Sequence, residues 1–199
     1  MTTQTTYLPA KTWKQRLSAW VLRLIGWRIQ TLPALPPKYL IVVAHHTSNW
    51  DLPLGLLFLG VTGIKAHFIA KDDLFRGPLG WLLRWLGGIP VNRRSRTNFV
   101  DQIAREFEQR DRLAIAITPE GTRSKTDYWK SGFYHIALKA NLPVVLGYLD
   151  YRRKMVGYGK IMHLTGDIEA DLDVIREFFS HVTGKFPHQH GRIRFRPRG

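Results

Sequence analysis

The stretch His45-His46-Thr47-Ser48-Asn49-Trp50-Asp51 joins two apolar segments of the chain. The segment before it, residues 39–44, is short and rich in β-branched residues, which is typical of a buried strand. The segment after it, residues 53–59, begins with Pro and continues with Leu and Phe, which predicts a buried helix with Pro in its first turn. A polar turn between a strand and a helix is where α/β proteins place reactive groups. We therefore predict an α/β fold with functional side chains in this turn.

Within this stretch, His46 and Asp51 form a pair that is suited to moving a proton. An imidazole takes up and releases a proton near neutral pH, and a neighbouring carboxylate can fix its tautomer and stabilise its charged form. If Asp51 lies near the start of the predicted helix, free backbone N–H groups there help to keep it ionised. A purely structural alternative stays open, because Ser, Asn and Asp in such a turn also serve as helix caps.

Length and composition predict one folded domain. The chain has 199 residues, of which 44% are hydrophobic and 12% aromatic, so it can build a substantial core. It contains no cysteine, which excludes disulfides and thiolate chemistry and fits a reducing compartment. The start of the sequence lacks the pattern of a signal peptide, and no uninterrupted apolar run is long enough to span a bilayer.

The charge of the chain predicts a polyanionic partner. Lys and Arg number 30 against 15 Asp and Glu, which gives a net charge of +15. Such a balance is typical of proteins that bind nucleic acid, an anionic membrane or a phosphorylated substrate. The excess is concentrated at both ends, since no acidic residue precedes Asp51 and the stretch 185–198 is again basic.

Residues 11–30 favour a membrane among these partners. Apolar residues recur there at helical spacing between Lys and Arg residues; they are Trp13, Leu17, Trp20, Val21, Leu24 and Trp27. A basic helix with Trp at its margins is typical of one that lies in a membrane interface, although such a helix can also cover the core of its own domain. Nucleic acid is disfavoured as a partner, because the Trp residues here lie among Leu residues at helical spacing, whereas aromatic residues that stack on bases usually lie on exposed strands. We predict peripheral attachment to the cytoplasmic face of an anionic membrane, with no nucleic-acid partner.

The remaining apolar patterns indicate alternating strands and helices. They predict strands at 67–70, 112–117, 142–149 and 155–164, and helices at 97–110, 131–140 and 171–183. Residues 74–86, with two Trp and two Arg, form a loop and short helix that either dips into lipid or belongs to the core. His188 and His190 lie in the basic tail, where a solvated tail is a simpler interpretation than a metal site.

We predict a single α/β domain with a mixed, mostly parallel sheet that is flanked by helices. Residues 1–38 form a basic amphipathic segment that associates with a membrane surface, and residues 39–199 form the domain that carries the function.

A second polar turn, Thr118-Pro119-Glu120-Gly121-Thr122-Arg123-Ser124-Lys125, follows the strand predicted at 112–117. Its glycine frees the backbone, and its hydroxyls and cations can bind a phosphate. It is not a Walker A loop, because it lacks Gly-Lys-Ser/Thr. Arg93, at the end of a short predicted strand, can also grip a phosphate bidentately. A solvated turn without a ligand is the structural alternative.

Three motifs now follow in order, and together they resemble those of a known family. They are His46-x4-Asp51, Gly88-Ile89-Pro90-Val91-Asn92-Arg93 and Pro119-Glu120-Gly121-Thr122-Arg123-Ser124. In this order the chain resembles the glycerolipid acyltransferases, a family typified by 1-acylglycerol-3-phosphate (lysophosphatidic acid) acyltransferase. The resemblance runs from about residue 39 to 149, and the Pro-Glu-Gly-Thr-Arg-Ser run is highly specific. The chain departs from the family pattern with His45 in place of Asn, Thr118 in place of Phe and Leu146 in place of Pro.

The resemblance implies a reaction and a set of site residues. His46 is the general base that Asp51 holds, and His45 is a rival base that the family spacing disfavours. The residues implied for the acceptor's phosphate are Arg93, Glu120, Gly121, Thr122 and Arg123. The implied reaction moves an acyl group from acyl-CoA or acyl-carrier protein to a lysophospholipid hydroxyl, with 1-acylglycerol-3-phosphate as acceptor and phosphatidic acid as product, and needs no metal or other cofactor. Two alternatives stay open, namely another lyso- or amino-lipid acceptor and a non-catalytic basic module.

Overall fold

The computed structural model describes residues 12–31, 34–91 and 96–197. The first residue of the predicted basic helix, at position 11, and the predicted phosphate contact Arg93 lie outside this part of the chain. Within it, seven strands form one sheet. The strands are β1 (Arg28–Gln30), β2 (Lys38–Val43), β3 (Ala66–Lys71), β4 (Gly88–Val91), β5 (Leu113–Ile117), β6 (Val144–Asp150) and β7 (Met155–Met162).

The order of the strands makes the sheet mixed but mostly parallel. They lie in the order β1-β7-β6-β2-β5-β3-β4. The five strands from β6 to β4 are mutually parallel, β7 is antiparallel to β6, and β1 is parallel to β7. Parallel neighbours need a crossover connection, and here helices supply it. The predicted fold class is therefore confirmed.

Helices cover both faces of the sheet. They are α1 (Trp13–Leu24), α2 (Asp51–Thr62), α3 (Gly77–Trp85), α4 (Arg96–Glu108), α5 (Gly132–Lys139) and α6 (Ile168–Ser180). Side chains of α4, α5 and α6 pack in one core cluster, and those of α1 and α2 pack in another. The helix α3 lies on the same face of the sheet as α1 and α2. A Cβ atom on Gly88 would meet the side chains of Phe68 and of Phe75, which directly precedes α3. Phe68 is paired with Ala116, whose side chain packs against the α1/α2 cluster.

The strand β2 separates the two clusters. Leu40 and Val42 pack with α4, α5 and α6, whereas Tyr39 and Ile41 pack with α1 and α2. Successive side chains of a strand point to opposite faces, so a strand that is covered on both faces must be apolar at every position. This is why residues 39–44 form an uninterrupted apolar run.

The N-terminal segment differs from its prediction. The helix predicted over 11–30 ends at Leu24, Gly26 then turns the chain with a φ of +76°, and Arg28–Gln30 pair with β7 as an edge strand. Leu22 and Trp27 are buried in the α1/α2 cluster. The helical spacing of apolar residues does not show whether they face lipid or the core. For this reason Trp27 was assigned to the wrong surface. The described part of residues 1–38 therefore belongs to the same domain as the rest of the chain.

The other predicted elements are confirmed within a few residues. The pattern over 155–164 corresponds to one strand, β7, which ends at Met162. The loop and short helix predicted over 74–86 correspond to a 3₁₀ turn (Asp72–Phe75) followed by α3. The last helix begins at Ile168 rather than at residue 171. Asp167 explains the earlier start, because its carboxylate accepts a hydrogen bond from the backbone N–H of Ala170 at 3.1 Å and caps the helix.

Candidate active site

The topology brings three loops to one edge of the sheet. The strand β2 lies between β5 and β6, with Val42 beside Ile117 and Val43 beside Gly147. All three strands are parallel, so the loops that follow them meet at their shared carboxyl edge, where open α/β sheets place their ligands. The polar turns at 45–51 and 118–125 are two of these loops. The third begins directly after Asp150.

The predicted His46–Asp51 pair forms a direct hydrogen bond. His46 Nδ1 lies 2.9 Å from Asp51 Oδ2. The His46 side chain is 23% exposed, whereas that of Asp51 is 3% exposed. Asp51 is the first residue of α2, so the helix start fixes its position. The imidazole therefore stands between a buried carboxylate and an open space.

The surroundings of Asp51 determine which nitrogen of His46 carries the proton. Its Oδ2 atom accepts hydrogen bonds from the backbone N–H groups of Thr47 and Ser48, at 3.1 and 3.0 Å. Its Oδ1 atom accepts a hydrogen bond from the Tyr151 hydroxyl at 2.6 Å. A carboxylate that accepts from these donors is acceptor-only, so a neutral His46 donates its Nδ1–H and keeps the lone pair on Nε2. This is the tautomer that a general base needs. The backbone donors come from the turn before α2 and not from the helix itself.

Glu120 joins the two polar turns. Its Oε2 atom accepts a hydrogen bond from the backbone N–H of His46 at 2.8 Å, and its Oε1 atom lies 3.6 Å from His45 Nδ1. The residue is buried, although its neighbours from Gly121 to Lys125 are exposed. Both oxygens of Glu120 thus face the 45–51 turn. Glu120 therefore holds the two loops together, and its contact with the acceptor's phosphate, which the resemblance implies, stays a prediction.

The other residues of the second turn present cations at the surface. Gly121 has a φ of +64°, and a Cβ atom there would lie 2.5 Å from the Nζ atom of Lys130. The glycine therefore lets an ammonium group lie directly over the backbone of the turn. Thr122 and Arg123 are exposed beside it. Lys130 is a site residue that the sequence analysis missed, because a single Lys between a loop and a helix carries no pattern.

The C-terminal tail is packed against these loops, so the solvated tail predicted from the sequence is wrong. The ring of His190 stacks on that of His45, with centroids 3.8 Å apart and planes at 10°. The backbone N–H of Phe186 donates to Thr47 Oγ1 at 3.2 Å. With its amide oriented by the hydrogen-bond network, Gln189 donates to the carbonyl oxygens of Arg123 and Thr47, at 2.7 and 3.1 Å. The tail thus connects the two polar turns.

Burial lowers the pKa of His190 to about 4, and repulsion from His45 adds to the effect. Its Nε2 atom accepts a hydrogen bond from the backbone N–H of Gly184 at 3.0 Å, which requires an unprotonated nitrogen. His190 is therefore a neutral structural side chain near neutral pH.

The geometry separates the two candidate bases. His45 is 7% exposed and its ring is covered by His190. His46 bonds to Asp51 and lines an open cleft. A base must reach a hydroxyl of the substrate, so the structure favours His46, as the motif spacing does.

One open cleft of about 3320 Å³ contains the described site residues. His46, Asp51, Glu120, Gly121, Thr122, Arg123 and Lys130 line it. Its apolar walls include Leu52, Leu56 and Phe58 of α2 and Phe68 of β3. The cleft therefore combines a base, cations and an apolar surface. In the described part of the chain no three His, Asp or Glu side chains are grouped as a metal site would require, and the prediction that the reaction needs no cofactor stays a prediction.

Comparisons with known proteins identify the family of the chain and its fold. A family model described as Acyltransferase matches residues 27–146. Among solved structures, the chain is similar to the 1-acyl-sn-glycerophosphate (LPA) acyltransferase PlsC from Thermotoga maritima, with 19% identity and a TM-score of 0.53 over 86% of this chain and 80% of that one. A search of curated proteins finds no significant match. The fold is thus shared with PlsC, and the family match covers β2, β5 and the two polar turns that follow them. The chain belongs to the acyltransferase family, as its resemblance to the glycerolipid acyltransferases led us to expect.

Proposed function

We propose that this protein transfers a fatty acyl group from a thioester, acyl-CoA or acyl-carrier protein, to the hydroxyl of a lysophospholipid. The observation that carries the proposal is the hydrogen bond between His46 Nδ1 and Asp51, which places Nε2 of a partly exposed imidazole on the side away from the carboxylate, in a residue that lines the cleft. The family match supports acyl transfer as the reaction class.

In the proposed reaction, His46 Nε2 takes the proton of the acceptor hydroxyl while the hydroxyl oxygen bonds to the thioester carbonyl carbon. The tetrahedral intermediate then loses its C–S bond, and the departing thiolate takes the proton from the imidazolium. Ester and free thiol are the products, and His46 returns to its starting state. Asp51 stabilises the imidazolium that forms between the two steps. General-base help of this kind is worth roughly 10²–10⁴ in rate.

We assign the acceptor's phosphate to the cations of the second turn. Arg123 is exposed in the cleft, and the Lys130 ammonium group lies over the Gly121 backbone. Thr122 adds a hydroxyl, and Arg93 stays a predicted contact. These groups suit a terminal phosphate monoester, so 1-acylglycerol-3-phosphate is the proposed acceptor and phosphatidic acid the product. The apolar walls of the cleft would hold the acyl chain.

We propose that the α1/α2 face rests on the membrane from which the acceptor is drawn. Apolar side chains are exposed on each helix of this face; they are Trp13, Leu17, Trp20 and Leu24 on α1, Leu52 and Leu56 on α2, and Leu79, Trp81, Leu82 and Trp85 on α3. Trp13 is 69% and Trp85 72% exposed, so neither is part of the core. A patch of this kind is typical of a surface that binds a membrane or a protein. No described helix is both long and apolar enough to cross a bilayer.

Basic residues beside this patch favour an anionic membrane over a protein partner. On α1, Lys14, Arg16 and Arg23 lie among the exposed Trp and Leu residues. Each cation near an anionic surface contributes about 1 kcal/mol to binding. The opposite side of α1 packs on α2 through Leu22, so one helix both covers the core and presents an apolar surface. The cytoplasmic leaflet, rich in anionic lipid, is the proposed site of attachment.

The reaction is tested by mixing purified protein with acyl-CoA and lysophosphatidic acid, following free thiol and weighing the lipid product by mass spectrometry. The proposal expects thiol release that depends on the acceptor, and a product that is heavier by one acyl group. Lysophosphatidylcholine, whose phosphate is capped by choline, serves as the matched acceptor and should react much more slowly. A faster reaction with this acceptor would replace the proposed substrate with another lyso-lipid, and no reaction with any acceptor would favour the non-catalytic module.

A further inference from the structure

A tyrosine outside the predicted site reaches the buried carboxylate. The strand β6 ends at Asp150, and Tyr151 follows at the same edge of the sheet as the two polar turns. Its hydroxyl donates a hydrogen bond of 2.6 Å to Asp51 Oδ1. Oδ2 is the oxygen that contacts His46. The two oxygens of this carboxylate therefore have different partners.

The Tyr151 hydroxyl keeps its proton. Burial raises the pKa of Tyr151 far above its usual range, and the hydrogen bond to the Asp51 carboxylate raises it further. A group that holds its proton so firmly is a permanent donor and not an acid of the reaction. The hydrogen bonds that Asp51 makes with Tyr151 and with His46 connect this hydroxyl to the imidazole.

The ring of Tyr151 is itself fixed in place. Trp27 meets it edge to face, with centroids 5.0 Å apart and planes at 89°. Its backbone N–H donates to the carbonyl oxygen of Thr183 at 2.8 Å. Trp27 lies between α1 and β1, and Thr183 follows α6. Two distant segments of the chain thus hold the hydroxyl at the carboxylate.

We propose that Tyr151 is a positioning residue, which sets the plane of the Asp51 carboxylate so that Oδ2 faces His46 Nδ1. Without the hydroxyl, Oδ1 loses this donor and the carboxylate is held through Oδ2 alone, by His46 and the N–H groups of Thr47 and Ser48. It can then rotate further about its Cβ–Cγ bond, which weakens the contact that holds the imidazole. Tyr151 lies beyond residues 27–146, so the family match does not assign it a role. The inference rests on the proposed function, because it concerns the base of that reaction.

Tyr151→Phe tests the inference, since it removes one oxygen atom and keeps the ring against Trp27. We expect kcat to fall about 10- to 100-fold, as for the loss of a hydrogen bond to a charged group. The KM values for acceptor and thioester should stay within about twofold, because the substitution removes only a hydroxyl that bonds to Asp51 and leaves the phosphate-binding cations and the ring packing in place.

The chain offers a matched control in Tyr134. Its hydroxyl donates to the buried carboxylate of Asp171 at 2.7 Å, on the other face of the sheet. Tyr134→Phe therefore loses the same kind of bond, and burial and Asp171 raise the pKa of Tyr134 in the same direction. Both variants should lower Tm, but only Tyr151→Phe should lower kcat.

The experiment measures Tm, kcat and both KM values for wild type and the two variants, together with His46→Ala. If wild type transfers the acyl group and His46→Ala does not, the proposed function stands. The inference is then overturned if Tyr151→Phe keeps the kcat of Tyr134→Phe, or if its loss lies in KM. It is also overturned if Tyr151→Phe fails to fold while Tyr134→Phe folds, because the bond then serves stability. If wild type shows no transfer, the proposed function and the inference fail together.

Discussion

The central loops and the two ends of the chain differ in how their structure relates to their sequence. The turns after β2 and β5 contain the residues that their motifs identify, and these residues meet in one cleft. The ends of the chain, α1 to β1 and residues 183–197, pack in ways that no local pattern indicates. A motif in a loop is fixed by the strand and helix beside it, whereas a terminal segment takes its position from partners far away in the chain. The loops thus contain the proposed active site, and both ends of the chain pack against them.

Among the variants that test this difference, the largest effect is expected at the His46–Asp51 pair of the central loops. Asp51→Asn should lower kcat by about 10²–10⁴ because an amide cannot stabilise the imidazolium and can present its NH₂ group to His46 Nδ1. Steady-state thiol release measures the loss. Asp171→Asn removes the charge of another buried carboxylate and serves as the control, which should lower stability without this loss of kcat. Equal kcat values for Asp51→Asn and wild type would contradict the role of the pair.

The next effect concerns the acceptor's phosphate. Arg123→Ala should lower kcat/KM for lysophosphatidic acid by about 2–4 kcal/mol equivalent, since a charge-assisted contact is lost, and should leave the KM for the thioester almost unchanged. Lys130→Ala should behave in the same way with a smaller loss.

Lys160→Ala, an exposed cation of β7, is the control for general charge effects. A loss of equal size for an acceptor without the phosphate would show that Arg123 does not read that group.

A smaller effect is expected at the N-terminal end of the chain. Leu17 is 52% exposed, so about half of its side chain can be transferred into the membrane. Leu17→Ser should therefore lose about half of the transfer free energy of a leucine, which weakens binding to anionic vesicles roughly fivefold. Leu138→Ser, on α5 of the opposite face, should leave binding unchanged. Co-sedimentation at low and high ionic strength measures both. Equal binding of the two variants would contradict a membrane-facing α1.

A deletion of residues 1–30 is a poor test of membrane binding, because it removes Leu22 and Trp27 from the core and β1 from the sheet.

The smallest effect is expected at the C-terminal end. Burial lowers the pKa of His190 from an ordinary value of 6.5 to about 4 in the folded chain. Between about pH 4 and pH 6.5 the unfolded chain therefore binds the proton of this side chain more readily than the folded chain does. Its contribution to stability is thus complete above about pH 6.5 and is lost as the pH falls toward about 4. Thermal melts over this range should show Tm falling less steeply for His190→Gln than for wild type. His188→Gln is the control, and a slope equal to wild type for His190→Gln would contradict the assignment.

The sequence predicts the local parts of the site and fails where residues from distant parts of the chain meet. Apolar runs of strand length and the Pro in the first turn of α2 place β2 and α2, and with them His46 and Asp51. Tyr151 and Asp51 lie 100 positions apart, and Phe186 bonds to Thr47 across 139 positions. Such contacts depend on the order of strands in the sheet, which no single segment specifies. For the same reason the sequence assigned His190 to solvent and Trp27 to a membrane-facing surface.

The central claim, that the β2 turn presents His46 as the base, is tested most directly by comparing adjacent histidines. Pre-steady-state thiol release from acyl-CoA with lysophosphatidic acid is measured for wild type, His46→Ala and His45→Asn, with circular dichroism and Tm for each. We predict that His46→Ala retains less than about a tenth of the wild-type rate and that His45→Asn is much milder, because only His46 combines the bond to Asp51 with access to the cleft. Folded His46→Ala with more than this rate, or a larger loss for His45→Asn, would contradict the account.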